Sequence, residues 1–230
     1  MANNRVVYTA LYGNKDILRN PLVVSDNFDY VCFTDNKSLK SDVWQFEYSE
    51  PIHSDPVRSA KIFKAKPHDY FPDHEISIWV DANFLIKSDL NLFLEKANNL
   101  KDANMLLFQH DQGRNCIYDE AEIIINHKKD DPDIVNKQMK KYHDEEYPTN
   151  NGLTANSILL RRHNSNDIVK LSNLWWNEIQ EFSRRDQLSF CYCLWKNSVK
   201  YYLLKYPNSD IRNNQWFHWL PHNYELQKWS

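Results

Sequence analysis

Five short apolar runs alternate with longer amphipathic segments, and this alternation limits the fold more than any other feature of the chain. The runs are RVVYTALY at 5–12, DYVCFTDN at 29–36, ISIWV at 76–80, MLLF at 105–108 and SILL at 157–160. Each is rich in β-branched, aromatic or other apolar residues, which is typical of a buried strand. Strands that alternate with helices form a mainly parallel sheet. The sequence therefore predicts an α/β fold.

Helical patterns follow these strands. We expect Ser88 to cap a helix over 89–100, and Pro132 suits the first turn of another helix. Further helices are predicted over 116–127, 167–182 and 186–197. Trp175 and Trp176 are adjacent on one of them, where their side chains diverge by about 100 degrees. At most one of the pair is expected to face the core.

The 230 residues are enough for one sizeable core, and no repeat or linker marks a second domain. We predict a single domain over 1–230. Its segment 208–230 is rich in Trp, His and Asn and is expected to pack on the body as an aromatic tail rather than a helix.

Composition excludes several function classes. The chain has 28 basic and 31 acidic residues and a net charge of -3, so no nucleic-acid partner is expected. Its three glycines, Gly13, Gly113 and Gly152, rule out G-x-G-x-x-G, the phosphate loop and G-x-S-x-G. The four cysteines show no C-x-x-C spacing, so we expect reduced, buried thiols.

The first residues contain no charged region followed by an apolar one, and no segment approaches the ~18 apolar residues of a membrane span. We therefore expect a cytoplasmic protein without a transmembrane segment. A peripheral enzyme can still act at a membrane surface without a spanning helix.

The strongest local signal is WVDAN, where an apolar strand ends in Asp81 and Asn83. Two oxygen donors two residues apart project to one side of an extended chain. A carboxylate and an amide oxygen suit Mn²⁺ or Mg²⁺ beside a diphosphate. The alternative is that Asp81 caps a turn at the strand end.

The order of the motifs resembles a known family. VVYTALYGN, YVCFTDN, RSAKIFKAKPHDYFP and ISIWVDANF are similar to the first half of a GT-A glycosyltransferase, with Asp81-Ala82-Asn83 in the place of its D-x-D motif. QHDQGRNCIYDEAE, NGLTANSILLRRHN and RRDQLSFCYCLW resemble the glycosyltransferase-like domain formerly called domain of unknown function 616. The resemblance runs from about Val6 to Trp195. It implies a Rossmann-like GT-A fold and transfer of a sugar from a nucleotide diphosphate sugar, usually with Mn²⁺ or Mg²⁺.

The resemblance also assigns nucleotide-binding residues. It places Thr9, Ala10, Tyr12 and Gly13 at the base and ribose, with Asp35 as a further candidate. Arg58 and Lys61 match basic positions that contact the diphosphate, and residues three apart share a helical face. The alternative for these two is a solvated helix face.

The metal site departs from the family pattern because its second carboxylate is the amide Asn83, which predicts a weak or dispensable metal. The family's third ligand is often a histidine near the C-terminus. Pro221 lies between His218 and His222, so at most one of them is expected to ligate, and we favour His218. Its alternative role is packing between Trp216 and Trp219.

For catalysis the resemblance points to Asp186, with Gln187 beside it, at the anomeric carbon of a retaining hexosyltransferase. The alternative is that Asp186 is a helix N-cap. The donor or acceptor sugar is assigned to His110, Asp111 and Arg114, followed by Glu120 and Glu122 on the next helix. Asn151, Gly152 and Asn156 form a second candidate patch for the sugar.

The sequence thus predicts a glycosyltransferase in polysaccharide or glycoconjugate synthesis, with a glycan or lipid-linked acceptor. Two alternatives remain at this stage. One is a divalent-metal phosphohydrolase or nuclease, which usually needs several clustered carboxylates. The other is a non-catalytic nucleotide- or sugar-binding module. The donor base, the acceptor and the oligomeric state do not follow from the sequence.

Overall fold

A central seven-stranded sheet organises the computed structural model, which describes residues 3–13, 15–98, 103–206 and 208–222. In spatial order the strands are β3 (Gln45–Tyr48), β2 (Asp29–Thr34), β1 (Arg5–Leu11), β4 (Ile76–Val80), β7 (Thr154–Arg161), β6 (Met105–Gln109) and β8 (Tyr202–Leu204). Of these strands, β7 alone runs antiparallel to its neighbours. The prediction of a mainly parallel α/β sheet is confirmed.

A second sheet consists of two short antiparallel strands, β5 (Phe84–Ile86) and β9 (Phe217–Trp219). The helices are α1 (Pro56–Ala65), α2 (Pro67–Tyr70), α3 (Leu90–Asn98), α4 (Ile117–Asn126), α5 (Pro132–Asp144), α6 (Asn166–Glu181) and α7 (Asp186–Lys196). A short 3-10 turn follows β6 at Asp111–Gly113. All five predicted strands and the predicted helices are present at about their predicted positions.

Both faces of the sheet are covered, which explains why its central strands are apolar on both sides. On one face Val6 and Tyr8 of β1 join a core with α1, α6 and α7. On the other face Val7 joins a core with α3 and the chain around β9. The sheet is therefore held at the centre of the molecule, with its strand ends at the surface.

The N-terminus of α3 differs from the prediction. The carboxylate of Asp89, not the hydroxyl of Ser88, accepts a hydrogen bond from the Asn91 N–H at 2.9 Å. The Ser88 hydroxyl instead donates to the Gln215 carbonyl at 3.0 Å. Ser88 is turned away from the helix because the chain near β9 offers it an acceptor.

The prediction for the tryptophan pair is wrong, because both side chains are buried. Trp175 is 0% exposed and Trp176 is 9% exposed. Helix α6 packs against both α1 and α7, so two directions about 100 degrees apart are covered. The Trp175 ring lies against Phe190 of α7, with centroids 4.4 Å apart.

The four cysteines are free and buried, as predicted. Burial raises the pKa of Cys32 to about 12. Within the described residues, no helix combines the length and apolarity that crossing a membrane would require.

The described part of the tail, 208–222, returns to the body through β9. Trp216 and Phe217 are 4% and 0% exposed, and both rings lie within 5.2 Å of the Phe93 ring, centroid to centroid. Residues 223–230 of the predicted tail lie outside the described residues.

Candidate active site

A cavity of about 640 Å³ opens where β1 and β4 end. Its walls come from the chain after those two strands, from α1, from the segment after β6 and from the start of α7. In open α/β sheets, ligands bind in the crevice at the carboxyl ends of the strands. The position of the cavity is therefore the one at which this fold class binds its ligands.

Many of the predicted site residues meet in this cavity, although five separate segments supply them. The predicted residues that line it are Ala10, Tyr12, Gly13, Lys61, Asp81, Asn83, His110, Asp111, Arg114, Asp186 and Gln187. Glu120 and Asn156 line it as well, whereas Glu122 is exposed and does not. The fold thus brings together most of the nucleotide, metal, sugar and catalytic candidates.

Gly13 shapes the loop after β1 next to α1. Its φ of +69° lies in the left-handed region, and an added Cβ would lie 3.0 Å from Cβ of Pro56. Asp35, which does not line the cavity, accepts a hydrogen bond from the Gly13 N–H at 3.4 Å. Asp35 therefore holds the loop after β1 in place without being part of the cavity wall. Thr9 is 1% exposed and lies on the face of β1 opposite Ala10, because side chains alternate along a strand.

Arg58 is not in the cavity wall, contrary to the predicted diphosphate contact. Its guanidinium donates to the backbone carbonyls of Ile179 and Phe182, the latter at 2.6 Å. These carbonyls belong to the C-terminal end of α6. Arg58 thus satisfies acceptors that a helix end leaves without partners.

His218 is also outside the cavity. It lies in β9 between Phe217 and Trp219, and Trp219 lines the cavity, so the alternation of a strand directs His218 to the other face. His222 lines the cavity instead, and its Nδ1 lies 2.6 Å from Oδ1 of Asp16.

The patch at Asn151 and Gly152 is displaced from the cavity. The Gly152 N–H donates to the Asn115 carbonyl at 2.8 Å, and Asn151 is exposed. Of the predicted patch, Asn156 reaches the cavity because it lies further along, inside β7.

The centre of the cavity is a network of two carboxylates and two ammonium groups. The first residue of α7, Asp186, is 5% exposed and forms an ion pair with Lys61. Nζ of Lys64 lies 2.8 Å from Oδ2 of Asp186 and 3.3 Å from Oδ1 of Asp81. The Asp186 side chain is thus engaged by lysines, and Arg185 occupies the N-cap position. The N-cap alternative for Asp186 is therefore wrong.

The shared carboxylate changes the pKa of each partner differently. Burial alone would raise the pKa of Asp186, but the charges of Lys61 and Lys64 outweigh it and hold the pKa well below its usual range. Burial lowers the pKa of Lys61 to about 8, against a partial opposing effect of Asp186. Burial acts on Lys64 too, but Asp186 and Asp81 together raise its pKa. Asp186 is therefore an ionised carboxylate at neutral pH.

A second charged group, which the sequence analysis missed, lies beside His110 and Asp111. It consists of Lys129, Arg185 and Arg212 together with the predicted Arg114. Arg212 pairs with Asp111 at 2.7 Å, and Arg114 pairs with Glu120. The Nε atoms of Arg114 and Arg185 are buried without a hydrogen-bond partner among the described residues. In total, seven Lys or Arg and five Asp or Glu side chains line the cavity, which suits an anionic ligand.

Of the basic residues in the cavity wall that were not predicted, Lys64 and Arg185 had a signal in the sequence. Lys64 lies three residues after Lys61, the same spacing that singled out Arg58 and Lys61, and Arg185 directly precedes Asp186. Lys129 and Arg212 had none, because they come from loops that only the fold brings to the cavity.

The side chains at the predicted metal position offer few free ligands to a divalent cation. Oδ1 of Asp81 accepts from Trp79 Nε1 at 2.7 Å and from Lys64, and Nδ2 of Asn83 donates to the Leu220 carbonyl at 3.0 Å. Among the described residues, no three His, Cys, Asp or Glu side chains are grouped to hold a metal ion. Mg²⁺ is usually held by one or two carboxylates together with waters and substrate phosphates, and the pair Asp81 and Asn83 supplies one carboxylate. The expected cofactor stays a prediction that this donor set does not favour.

Comparisons with known proteins show what the chain is similar to. The family model described as "TOD1/MUCI70, glycosyltransferase-like domain" matches residues 1–215. The chain is 27% identical over 222 residues to alkaline ceramidase TOD1 of Arabidopsis thaliana, covering 81% of this chain and 47% of the relative. It is 29% identical over 150 residues to the probable hexosyltransferase MUCI70 of the same plant, covering 60% of this chain and 25% of the relative. The chain thus spans less than half the length of either relative.

Mouse xyloside xylosyltransferase 1 is one of the solved structures that share the fold. Mouse xyloside xylosyltransferase 1 in its apo form matches with a TM-score of 0.52 and 10% sequence identity, covering 87% of this chain and 84% of that chain. At this identity the likeness concerns the fold alone.

Proposed function

This chain belongs to the TOD1/MUCI70 glycosyltransferase-like domain family, and on that premise we propose that it transfers a hexosyl group from a nucleotide diphosphate sugar to an acceptor hydroxyl. The observation that carries the proposal is the central network, in which Asp186 lies between Lys61 and Lys64 in a cavity at the strand ends. The similarity to a probable hexosyltransferase supports the same activity.

The two parts of a nucleotide sugar match two parts of the cavity. Pro56, Val57 and Ala60 of α1 give an apolar wall next to the loop after β1, where a base and ribose would lie. The ammonium groups of Lys61 and Lys64 lie deeper, on the same helix, where a diphosphate would follow. We therefore place the nucleoside over 10–13 and the diphosphate at the two lysines.

In the transfer step, the bond between the anomeric carbon and the β-phosphate oxygen breaks, and its electron pair leaves with the diphosphate. The acceptor oxygen forms the new bond to the anomeric carbon and passes its proton to an oxygen of the departing diphosphate. Positive lysines stabilise the negative charge of the leaving group. The ionised Asp186 would stabilise positive charge that develops on the sugar. Retention at the anomeric carbon is proposed from the family resemblance.

The proposal also extends to the wider role of the protein. We propose that the acceptor is a glycan or a lipid-linked saccharide in polysaccharide or glycoconjugate synthesis, and that the reaction occurs in the cytoplasm or at its membrane surface.

The name of one relative raises ceramide hydrolysis as a second candidate. That substrate is a neutral amide with long apolar chains, whereas twelve charged side chains line this cavity. The charges favour a sugar nucleotide. Fatty acid release from ceramide, measured beside sugar transfer, would support the second candidate.

The first test combines binding with turnover. Melting temperatures are measured with UDP, GDP, CDP and dTDP, since a ligand of the folded state raises them. Sugar nucleotides of the base that binds are then tested for sugar release and transfer. We expect Asp186→Asn to keep nucleotide binding and to lower turnover by about 100-fold or more.

The matched control is Asp144→Asn, the same change at a side chain 54% exposed on α5, and it should leave both measurements unchanged. Circular dichroism checks that Asp186→Asn folds, and Asp186→Glu, which keeps the charge, serves as a second variant. Full turnover in Asp186→Asn, or no shift with any nucleotide, would contradict the proposal. Binding without turnover in the wild type would indicate a non-catalytic module.

A further inference from the structure

We propose that the Lys64 ammonium group takes the place of a divalent cation beside the diphosphate, so that this chain binds its nucleotide without metal. The inference rests on the proposed function and adds to it the means by which the diphosphate is held. It assigns to Lys64, which shares the three-residue spacing of Arg58 and Lys61, a binding role that the sequence analysis gave only to those two residues.

The first argument is the position of Lys64. Its side chain is buried at 1% exposure, and its Nζ lies between Oδ2 of Asp186 at 2.8 Å and Oδ1 of Asp81 at 3.3 Å. These carboxylates come from the start of α7 and from the end of β4. A single positive charge thus joins two elements of the cavity, as a bound cation would.

The second argument is competition for Asp81. The Oδ1 atom of Asp81 is already an acceptor for Trp79 and for Lys64. The Trp79 ring also lies 5.6 Å from Nζ of Lys64 and holds it by a cation–π contact. A divalent cation at Asp81 would lie close to this ammonium group and be repelled by it.

The third argument is the charge balance of the central network. Asp81 and Asp186 carry two negative charges, and Lys61 and Lys64 neutralise them. Without Lys64 the network would have a net charge of minus one and would repel a diphosphate. The carboxylates of Asp81 and Asp186 would then have lost a common partner and could hold a metal ion.

This last point gives a test by gain of metal dependence. The probes are UDP, GDP, CDP and dTDP, and affinity is measured by calorimetry and by melting temperature, in EDTA and in Mn²⁺. For the wild type we expect the same dissociation constant in both conditions. For Lys64→Met we expect affinity in EDTA to fall by about 10- to 100-fold, the value of one charge-assisted contact. Mn²⁺ should restore part of that loss.

Two further variants make the result specific. Lys66→Met is the same change two residues away, at an ammonium group that pairs with Asp69 and is absent from the cavity wall, and it should bind like the wild type. Lys64→Arg keeps the charge and should bind in EDTA, which guards against misfolding of Lys64→Met.

The outcomes separate the two proposals. Wild-type binding that requires Mn²⁺ would overturn the role of Lys64 and leave the proposed transferase standing. Unchanged binding of Lys64→Met in EDTA would overturn it as well. If the wild type bound none of the nucleotides in EDTA or in Mn²⁺, the proposed function would be overturned, and this inference with it.

Discussion

At the scale of single residues, the chemistry of the cavity depends on how Asp186 is shared. Lys64 has two carboxylate partners, Asp186 and Asp81, whereas Lys61 is paired with Asp186 and also faces the charge of Lys64. A buried ammonium group keeps its proton only as far as negative partners compensate for the lost water. The two lysines of one helix therefore differ in pKa, and Lys61 is the one that titrates at about 8.

The pKa of Lys61 predicts how nucleotide binding varies with pH. The protonated ammonium group attracts a diphosphate, so affinity should fall as pH rises through about 8. Above that value the loss approaches about tenfold per pH unit, because one proton is linked to binding. Calorimetry between about pH 7 and pH 9, in buffers of different ionisation enthalpy, measures the affinity and the proton uptake.

Lys61→Arg is the control for this prediction, since arginine stays charged over the whole range. It should bind with no change above neutral pH. A wild-type affinity that is constant across the range, with no proton uptake, would show that Lys61 does not contact the diphosphate.

At the scale of elements, α1 carries three basic side chains at intervals of three residues, and its neighbours decide what each one does. Arg58 meets the C-terminal carbonyls of α6, where a positive charge is favourable. Lys61 and Lys64, further along, meet the first residue of α7. One helix therefore both closes the end of α6 and supplies charge to the cavity.

Because Arg58 and Lys61 have different partners, we predict that the matching methionine variants change different properties of the protein. Arg58→Met should lower the free energy of unfolding by about 1–3 kcal/mol, because buried carbonyls lose a charged donor, and should leave nucleotide affinity unchanged. Lys61→Met should weaken nucleotide binding. Denaturant unfolding and calorimetry of both variants check the pair. If Arg58→Met weakened nucleotide binding and left stability unchanged, the result would support the predicted contact between Arg58 and the diphosphate.

At the scale of the whole molecule, the chain near its C-terminal end completes both the core and the cavity. Phe217 of β9 is fully buried between Phe93 of α3 and Phe108 of β6. Two residues later, Trp219 lines the cavity, and Arg212 before β9 pairs with Asp111 in the cavity wall. Stability and ligand binding should therefore depend on the same segment.

We predict that Phe217→Ala lowers the free energy of unfolding by about 3–5 kcal/mol, because it leaves a cavity in the core. The melting temperature should fall on the order of 10 °C, in one cooperative transition of the whole chain. Scanning calorimetry measures both. Leu92→Ala, at a side chain 50% exposed on α3, is the control and should change the free energy by no more than about 0.5 kcal/mol. Two separate transitions would contradict a single domain.

The sequence by itself determined the elements whose signal is local. The five buried strands and the long helices follow from periodicity and β-branched composition, and Asp81 follows from its place at the end of a strand, whereas Asp186 was assigned to the site through the family resemblance. The strands β5, β8 and β9 have three residues each and β3 has four, too few to show a period, so only their pairing partners define them.

Only the tertiary structure decided the ionic partners. Lys61 and Asp186 are 125 positions apart, and the identity of a long side chain's partner depends on which elements pack together. The same packing took Arg58 to a helix end, buried both Trp175 and Trp176, and brought His222 rather than His218 to the cavity. Local sequence records propensity and periodicity, whereas burial and charge pairing arise between segments that are distant in the chain.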